Sequence, residues 1–192
     1  MLKNIQNKKI ILASQSPRRR ELLAGLDLEF EVMPLHAEEI YDPEELKREQ
    51  ITEFLCEVKA QAFQQWEDDI LLITADTIVW MEERAVEKPK SRGEAIEMLE
   101  LLSGKNHEVI SSAAIYSPSK KIIVTDVAKV RFGDLSTEEI TYYVDKYQPY
   151  DKAGGYGVQE WIGYVGVEEI VGSYYTIMGF PVYPFFKALK NF

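Results

Sequence analysis

Three consecutive arginines follow a serine–proline pair near the N-terminus, in the segment 14–20 (SQSPRRR). Ser16 and Pro17 are typical of a helix start, and the N-terminal end of a helix favours anions over cations. Arginines at such a position are explained if free backbone N–H groups and guanidinium groups bind a phosphate-like anion together. Arg18 and Arg19 are the candidates, and Arg20 is assigned to solvent. Pairing of these arginines with surface glutamates is the alternative.

One carboxylate, Asp76, interrupts the most apolar stretch of the chain, residues 70–80 (ILLITADTIVW). Carboxylates are seldom buried unless they are paired, hydrogen-bonded or bound to a metal ion. An acid near the end of a central strand in an α/β sheet commonly lies at the ligand crevice, and Thr77 adds a hydroxyl beside it. Asp76 is therefore a candidate for a ligand site, with a turn-capping aspartate as the alternative.

Three other charged residues are weak candidates by themselves and are considered only because these two segments are present. Glu39 follows Glu38 in an acidic loop, where solvated carboxylates are the ordinary explanation. Lys59 lies near the apolar stripe of a helix, where a lysine usually extends its ammonium to solvent. Lys88 precedes a proline in a rigid turn, where an exposed lysine is the default.

A glycine-rich segment, residues 150–159 (YDKAGGYGVQ), is the second strong candidate for a ligand site. Glycines let a backbone pass close to a ligand or adopt positive φ. The amide of Gln159 can donate and accept, which suits the imide edge of a pyrimidine. A tight turn between a helix and a strand is the alternative explanation of this segment.

Together, an anion-binding helix start, carboxylates, lysines and a base-reading amide indicate phosphate chemistry on a nucleotide. Oxygen-only metal ligands fit Mg²⁺ or Mn²⁺. The residues alone leave open which phosphate bond is attacked.

The elements that must position these groups alternate along the chain, which predicts one α/β domain over residues 1–192. A 3.6-residue periodicity predicts helices, and apolar β-branched runs predict strands. Ser91 with Glu94 and Ser136 with Glu139 form capping boxes. The predicted strands are 9–13, 30–35, 70–80, 107–116, 120–132 and an alternating stretch at 161–175; the predicted helices are 17–28, 44–68, two helices after the capping serines, and one after Pro181.

Composition excludes several classes of protein. The 192 residues carry 22 Lys and Arg against 32 Asp and Glu, a net charge of −10. Duplex nucleic acid and anionic membranes both require a basic face, so neither is an expected partner. One cysteine and two histidines argue against disulfides and against thiolate or multi-histidine metal sites. No apolar run approaches a membrane span, and a cytoplasmic protein is expected.

In their order along the chain, several motifs resemble the Maf family of nucleoside triphosphate pyrophosphatases. They are LASQSPRR (12–19), ADT (75–77), EKP (87–89), LSG (102–104), DKAGGYGVQ (151–159) and MGFP (178–181). The resemblance covers essentially the whole chain and implies hydrolysis of a triphosphate to the monophosphate and pyrophosphate with a divalent metal. It also implies a mixed, bent β-sheet between helices, similar to the inosine-triphosphatase architecture and often dimeric.

The ADT triplet, the SPRR arginine and the glutamine after the glycine loop resemble the branch specific for dTTP and UTP. By position, Asp76 would accept the proton of the attacking water. The resemblance further implies metal ligands Glu39 and Asp76, specificity residues Arg18, Thr77 and Gln159, and phosphate-site residues Ser14, Arg19, Lys59 and Lys88. Modified pyrimidine triphosphates are alternative substrates.

Three positions depart from the family pattern. Gly155 stands where many members have alanine, Glu160 where glycine is common, and Thr176 where asparagine is usual. Glu160 bears on base preference, since a carboxylate could accept from the amino group of cytosine. A non-catalytic nucleotide-binding regulator of cell division is the alternative function, and a phosphotransferase lacks a Gly-x-x-x-x-Gly-Lys loop.

Overall fold

The computed structural model describes residues 2–192, in which strands and helices alternate. The strands are β1 (Lys9–Leu12), β2 (Glu31–Val32), β3 (Ile70–Met81), β4 (Arg84–Val86), β5 (Asn106–Tyr116), β6 (Lys121–Phe132) and β7 (Val167–Val171). The helices are α1 (Pro17–Ala24), α2 (Glu49–Gln61), α3 (Arg92–Leu102), α4 (Thr137–Tyr147), α5 (Trp161–Gly166), α6 (Tyr174–Met178) and α7 (Val182–Lys190). Within the described range, no helix has both the length and the apolar character needed to cross a membrane.

The strands form one mixed sheet in the order β2-β1-β3-β5-β6-β7, with β4 paired to β3. Strand β1 runs parallel to β2 and to β3, and β4 runs antiparallel to β3. Strand β7 runs antiparallel to β6. The predicted mixed α/β class is therefore confirmed. Strand β3, nearly continuously buried, is the central strand that its apolar sequence predicts.

The chain divides into two compact units. The first comprises the residues up to Asp76 together with Ser111–Asp126 and Gly179–Phe192, and the second comprises Thr77–Ile110 and Val127–Met178. The sequence-based expectation of a single domain stays a prediction.

In the first unit, helix α2 packs through apolar residues and through buried hydroxyl groups. Ile51 and Leu55 are buried as the periodicity predicts. Thr52 Oγ1 lies 2.6 Å from Ser112 Oγ, and Thr74 Oγ1 donates to the Cys56 carbonyl at 2.9 Å. These bonds bind one face of α2 to β3 and β5, and that face carries Lys59.

In the second unit, serine caps begin α3 and α4 as predicted. Ser136 Oγ accepts from the Glu139 N–H while the Glu139 carboxylate accepts from the Ser136 N–H, which completes a capping box. Ser91 Oγ likewise accepts from the Glu94 N–H. The Glu94 carboxylate instead accepts from the Lys90 N–H, so the first capping box is half formed.

Two predicted helices are too long. Helix α1 ends at Ala24 rather than residue 28, because Gly25 caps it with its N–H donating to the Glu21 and Leu23 carbonyls. Helix α2 spans Glu49–Gln61 rather than 44–68, since Arg48 before it has a positive φ of 53°. The predicted strand 30–35 is reduced to the two residues of β2.

Two further segments differ from their predicted structure. Arg84–Val86 form β4, a strand outside the predicted ones, because Glu82 and Glu83 both adopt positive φ, 50° and 58°, and close a two-residue hairpin. Glutamates carry little signal for such a turn, which usually uses asparagine and glycine. The alternating stretch 161–175 forms α5 and α6 around the single strand β7, so its prediction as strands alone is wrong.

A buried histidine in the second unit lies among aromatic rings. His107 is 3% exposed, its Nε2 lies 2.7 Å from the Tyr156 hydroxyl, and its ring makes edge contacts with Phe132 and Tyr156. Burial lowers the pKa of His107 from 6.5 to about 4, so the native state favours the neutral ring.

We expect His107 to make the protein less stable as the pH falls. Since the native pKa lies below the unfolded value, the stability is fully present above pH 6.5 and is lost as the pH falls towards 4. Between pH 7 and 5 the loss from this residue is about 2 kcal/mol. The measurement is the free energy of unfolding in urea, for the wild type and for His107→Gln.

His107→Gln keeps a polar side chain at this position but does not titrate, so carboxylate contributions cancel in the comparison. Parallel stability profiles of the two proteins between pH 7 and 5 would contradict the expectation.

Candidate active site

The segment before α1 forms the predicted helix start. Ser16 is the N-cap, with an extended backbone and a side chain that accepts from the Arg19 N–H at 3.4 Å, and Pro17 is the first helical residue. Ser14 is buried, and its Oγ accepts from the Ser16 N–H at 3.2 Å. Ser14 thus shapes the turn into the helix, and its proposed phosphate contact stays a prediction.

The three arginines of α1 differ in their surroundings. Arg19 Nε donates to the Gly179 carbonyl at 3.0 Å, and one of its terminal nitrogens donates to the Ala75 carbonyl at 2.8 Å. Arg18 is half-buried and Arg20 is exposed, as expected. Arg19 therefore joins α1 to β3 immediately before Asp76. Backbone carbonyl acceptors leave no mark in a sequence, so this structural role was not predictable.

A buried ion pair joins Lys59 to Asp76, and the exposed Glu39 contacts the same lysine. Lys59 and Asp76 are 8% and 6% exposed, and Lys59 Nζ donates to Asp76 Oδ1. The same ammonium donates to the Ala75 carbonyl at 3.2 Å and lies 3.1 Å from Glu39 Oε2. Lys59 is therefore buried rather than extended to solvent, and Asp76 is paired within a strand rather than capping a turn. Three candidates that are distant in sequence meet in the first unit.

The only cysteine of the chain, Cys56, also lies on α2. Burial and, secondarily, the negative charge of Asp76 raise the pKa of its thiol to about 12. A thiol with so high a pKa stays protonated near neutral pH, and thiolates rather than thiols are nucleophilic. Nucleophilic chemistry in this region therefore belongs to another group.

The donor set around Lys59 suits a hard divalent cation. Glu39 and Asp76 supply carboxylate oxygens around one ammonium, and Glu39 is partly exposed. Among residues 2–192, no cluster of three or more His, Cys, Asp and Glu is arranged as a metal cage. Magnesium is usually bound by one or two carboxylates together with substrate phosphates. Glu39 and Asp76 fit that pattern.

The remaining predicted site residues belong to the second unit. Thr77 is half-buried on β3, and Lys88 is exposed, which is the default expected for a turn lysine. Gln159 is half-buried, and its buried Oε1 has no hydrogen-bond partner within the part of the chain that the structure describes. A buried amide oxygen without a donor costs free energy that a hydrogen-bonding ligand can recover.

The glycine-rich segment forms a short 3₁₀ turn, Ala153–Gly155. Gly154 has φ +68°, and a Cβ on it would lie 2.8 Å from a methyl group of Val79. The Gly154 N–H donates to the Glu87 carbonyl at 3.1 Å. Both the positive φ and the close approach require glycine here, so packing on β3 explains this glycine without a ligand.

Sequence reasoning did not predict how the charged residues next to Gln159 are connected, nor that Tyr143 contacts them. Lys152 is 8% exposed, and its Nζ lies 3.1 Å from Glu160 Oε1 and 2.8 Å from Asp151 Oδ1. Tyr143 is fully buried and donates to Glu160 Oε2. Tyr143 reads in the sequence as part of the apolar stripe of α4, so its polar role has no signal there.

Several known proteins are similar to this chain over its full length. Proteins named dTTP/UTP pyrophosphatase from Parabacteroides distasonis and Bacteroides fragilis are 48% and 49% identical, over the full length of both chains. One of the same name from Flavobacterium johnsoniae is 46% identical over this whole chain and 99% of its own. A solved nucleoside-triphosphatase / dITP/XTP pyrophosphatase from Mycobacterium abscessus has a TM-score of 0.40 and 14% identity, over 66% of this chain and 75% of that one.

The family model described as Maf-like protein matches residues 9–192. This range contains every candidate site residue named above, from Ser14 to Gln159. The chain belongs to the Maf family.

Proposed function

We propose that this chain hydrolyses dTTP and UTP to the monophosphate and pyrophosphate. Water forms a bond to the α-phosphorus, and the bond from that phosphorus to the oxygen bridging the β-phosphate breaks, so that pyrophosphate leaves. The relatives named dTTP/UTP pyrophosphatase, 46–49% identical over the full chain, support both the reaction and the substrates.

The observation that carries the proposal is the buried Asp76 carboxylate held by Lys59. A base that is fixed in position and shielded from bulk water can accept a proton from an attacking water in a defined direction. Glu39 brings a second carboxylate to the same ammonium at 3.1 Å. A site that only binds a nucleotide needs no such base, so the Asp76 carboxylate held by Lys59 favours an enzyme.

The other site residues receive roles that suit their chemistry. Asp76 accepts the proton of the attacking water. Arg18 and Arg19, at the N-terminal end of α1, stabilise negative charge on the phosphates, as do Lys59 and Lys88. Ser14 orders the turn that presents the helix start, and Thr77 and Gln159 select the base.

The proposed cofactor is Mg²⁺ or Mn²⁺, and Glu39 and Asp76 would hold it. When bound, a divalent cation supplies neutralisation of the triphosphate charge. The oxygen-only character of these ligands supports this choice of metal over softer ions.

The proposal extends to the location and the oligomeric state of the protein. We propose that it acts in the cytoplasm, on the grounds of its single cysteine and the lack of a long apolar run, and that it forms a homodimer, as its resemblance to the Maf family implies. The alternative of a non-catalytic regulator of cell division is not favoured, because the full-length relatives carry the names of enzymes.

We expect Asp76→Asn to lower kcat at least about 100-fold, because an amide cannot accept the proton that a carboxylate accepts. The measurement is pyrophosphate release from UTP, with circular dichroism to verify folding. Asp69→Asn is the matched control, since this exposed aspartate lies just before the same strand. A folded Asp76→Asn protein with wild-type kcat would remove Asp76 from the proton-acceptor role.

We expect the three arginines to respond differently to alanine substitution. Arg18→Ala and Arg19→Ala raise KM for UTP and lower kcat, whereas Arg20→Ala is nearly silent because Arg20 is exposed. Arg19→Ala also lowers the free energy of unfolding by about 2 kcal/mol, since its bonds to two carbonyls are lost. Kinetics and urea unfolding of the three variants measure both effects. Equal losses at all three positions would indicate a diffuse positive field instead of a site.

We expect dTTP and UTP to be hydrolysed well, and CTP, ATP and GTP poorly. A thymine or uracil edge offers a carbonyl and an N3–H, which the Gln159 amide can satisfy in both directions. Cytosine reverses part of that pattern, which lowers kcat/KM roughly 5- to 150-fold. The measurement is kcat/KM for the five triphosphates with wild type and Gln159→Ala. Unchanged discrimination in Gln159→Ala would show that another group reads the base.

A further inference from the structure

A buried polar network encloses the turn that carries Gln159. Tyr143 is at its centre: it is 0% exposed on α4, its hydroxyl accepts from the Gly157 N–H at 3.0 Å, and it donates to Glu160 Oε2. One side chain therefore joins the residue two positions before Gln159 to the residue directly after it. The turn itself is closed by the Glu160 N–H, which donates to the Gly157 carbonyl at 2.9 Å.

Both carboxylate oxygens of Glu160 have partners. Oε2 accepts from Tyr143, and Oε1 lies 3.1 Å from Lys152 Nζ. Burial and, secondarily, the hydrogen bond to Glu160 raise the pKa of the Tyr143 hydroxyl, so it remains a donor. Lys152 is 8% exposed and offsets the charge of Glu160. Glu160 is thus held on two sides by groups that are themselves buried.

The absence of a side chain at Gly157 lets these groups lie close to Gln159. A Cβ at Gly157 would lie 2.9 Å from Gln159 Nε2 and 3.0 Å from Glu160 Oε2. The Gln159 amide and the Glu160 carboxylate therefore occupy the space over one glycine. Among residues 2–192 the buried Gln159 Oε1 has no hydrogen-bond partner, so the orientation of this amide depends on the packing of the groups around it.

We propose that Glu160, held by Tyr143 and Lys152, is a positioning residue that orients the Gln159 amide and so determines the choice between uracil and cytosine. This inference rests on the proposed function for its substrates. Because Tyr143 and Lys152 hold its carboxylate, Glu160 acts on the base through Gln159 and not as a direct acceptor for the amino group of cytosine. Glu160 therefore strengthens the preference for UTP.

The test compares Glu160→Ala, Glu160→Gln and Tyr143→Phe with the wild type. Glu160→Ala and Tyr143→Phe release the turn, so we expect the UTP-to-CTP ratio of kcat/KM to fall roughly 10-fold, equivalent to about 1.4 kcal/mol. Most of this change is a higher KM for UTP with kcat within about twofold, since base contacts act in the ground state as well. Glu160→Gln keeps the shape and one acceptor, and we expect it to retain the ratio within about threefold.

Glu139→Ala is the matched control for lost stability. It removes the capping-box carboxylate at the start of the same helix α4 and has no part in the network around Tyr143. We expect it to lower Tm while leaving the UTP-to-CTP ratio unchanged. A second readout is the Kd of UMP and of CMP, measured by calorimetry, which does not depend on turnover.

The outcomes separate this inference from the proposed function. If the wild type releases no pyrophosphate from any triphosphate, the proposed function fails, whereas a UMP preference that disappears in Glu160→Ala still supports the positioning role. If Glu160→Ala and Tyr143→Phe lower Tm but keep the wild-type UTP-to-CTP and UMP-to-CMP ratios, the inference is overturned. A wild type that binds UMP and CMP equally also overturns it.

Discussion

The contact between the Lys59 ammonium and the Asp76 carboxylate is the constraint on which the candidate site depends. Two charges removed from water cost several kcal/mol each unless their geometry and further hydrogen bonds compensate. Here the compensation comes from the Ala75 carbonyl and from Glu39, both within hydrogen-bonding distance of the ammonium. The pair therefore requires that α2 and β3 hold a fixed register, which the Thr74–Cys56 hydrogen bond supports, while Thr52–Ser112 joins α2 to β5.

One backbone carbonyl links this pair to the arginine helix. The Ala75 oxygen accepts from Lys59 Nζ at 3.2 Å and from a terminal nitrogen of Arg19 at 2.8 Å. A carbonyl oxygen has two lone pairs, so it can accept both bonds. Two cations are thereby fixed on the residue immediately before Asp76. In a chain that carries a charge of −10, local cations attract a triphosphate only if they outweigh that charge within a Debye length, about 8 Å at physiological salt.

The two units compensate their buried polar groups in different ways. In the first unit a charge pair is buried beside backbone acceptors, and its second carboxylate, Glu39, is partly exposed. In the second unit Lys152 offsets the charge of Glu160 beside Gln159, and the buried Gln159 amide oxygen has no hydrogen-bond partner among residues 2–192. A carboxylate suits proton transfer, whereas a neutral amide suits recognition of a base edge.

The sequence by itself determined what depends on neighbours along the chain: the cap at Ser16, the capping box at Ser136 and the apolar run of β3. It also indicated Asp76 as a candidate, because a single acid within an apolar run is unusual in any fold. Only the tertiary structure decided the partners of these groups, including the pairing of Lys59 with Asp76, the carbonyl acceptors of Arg19, and the contact of Tyr143 with Glu160. Such partners lie 17 to 160 residues apart, and no local pattern encodes which distant group will fill the space beside a buried charge.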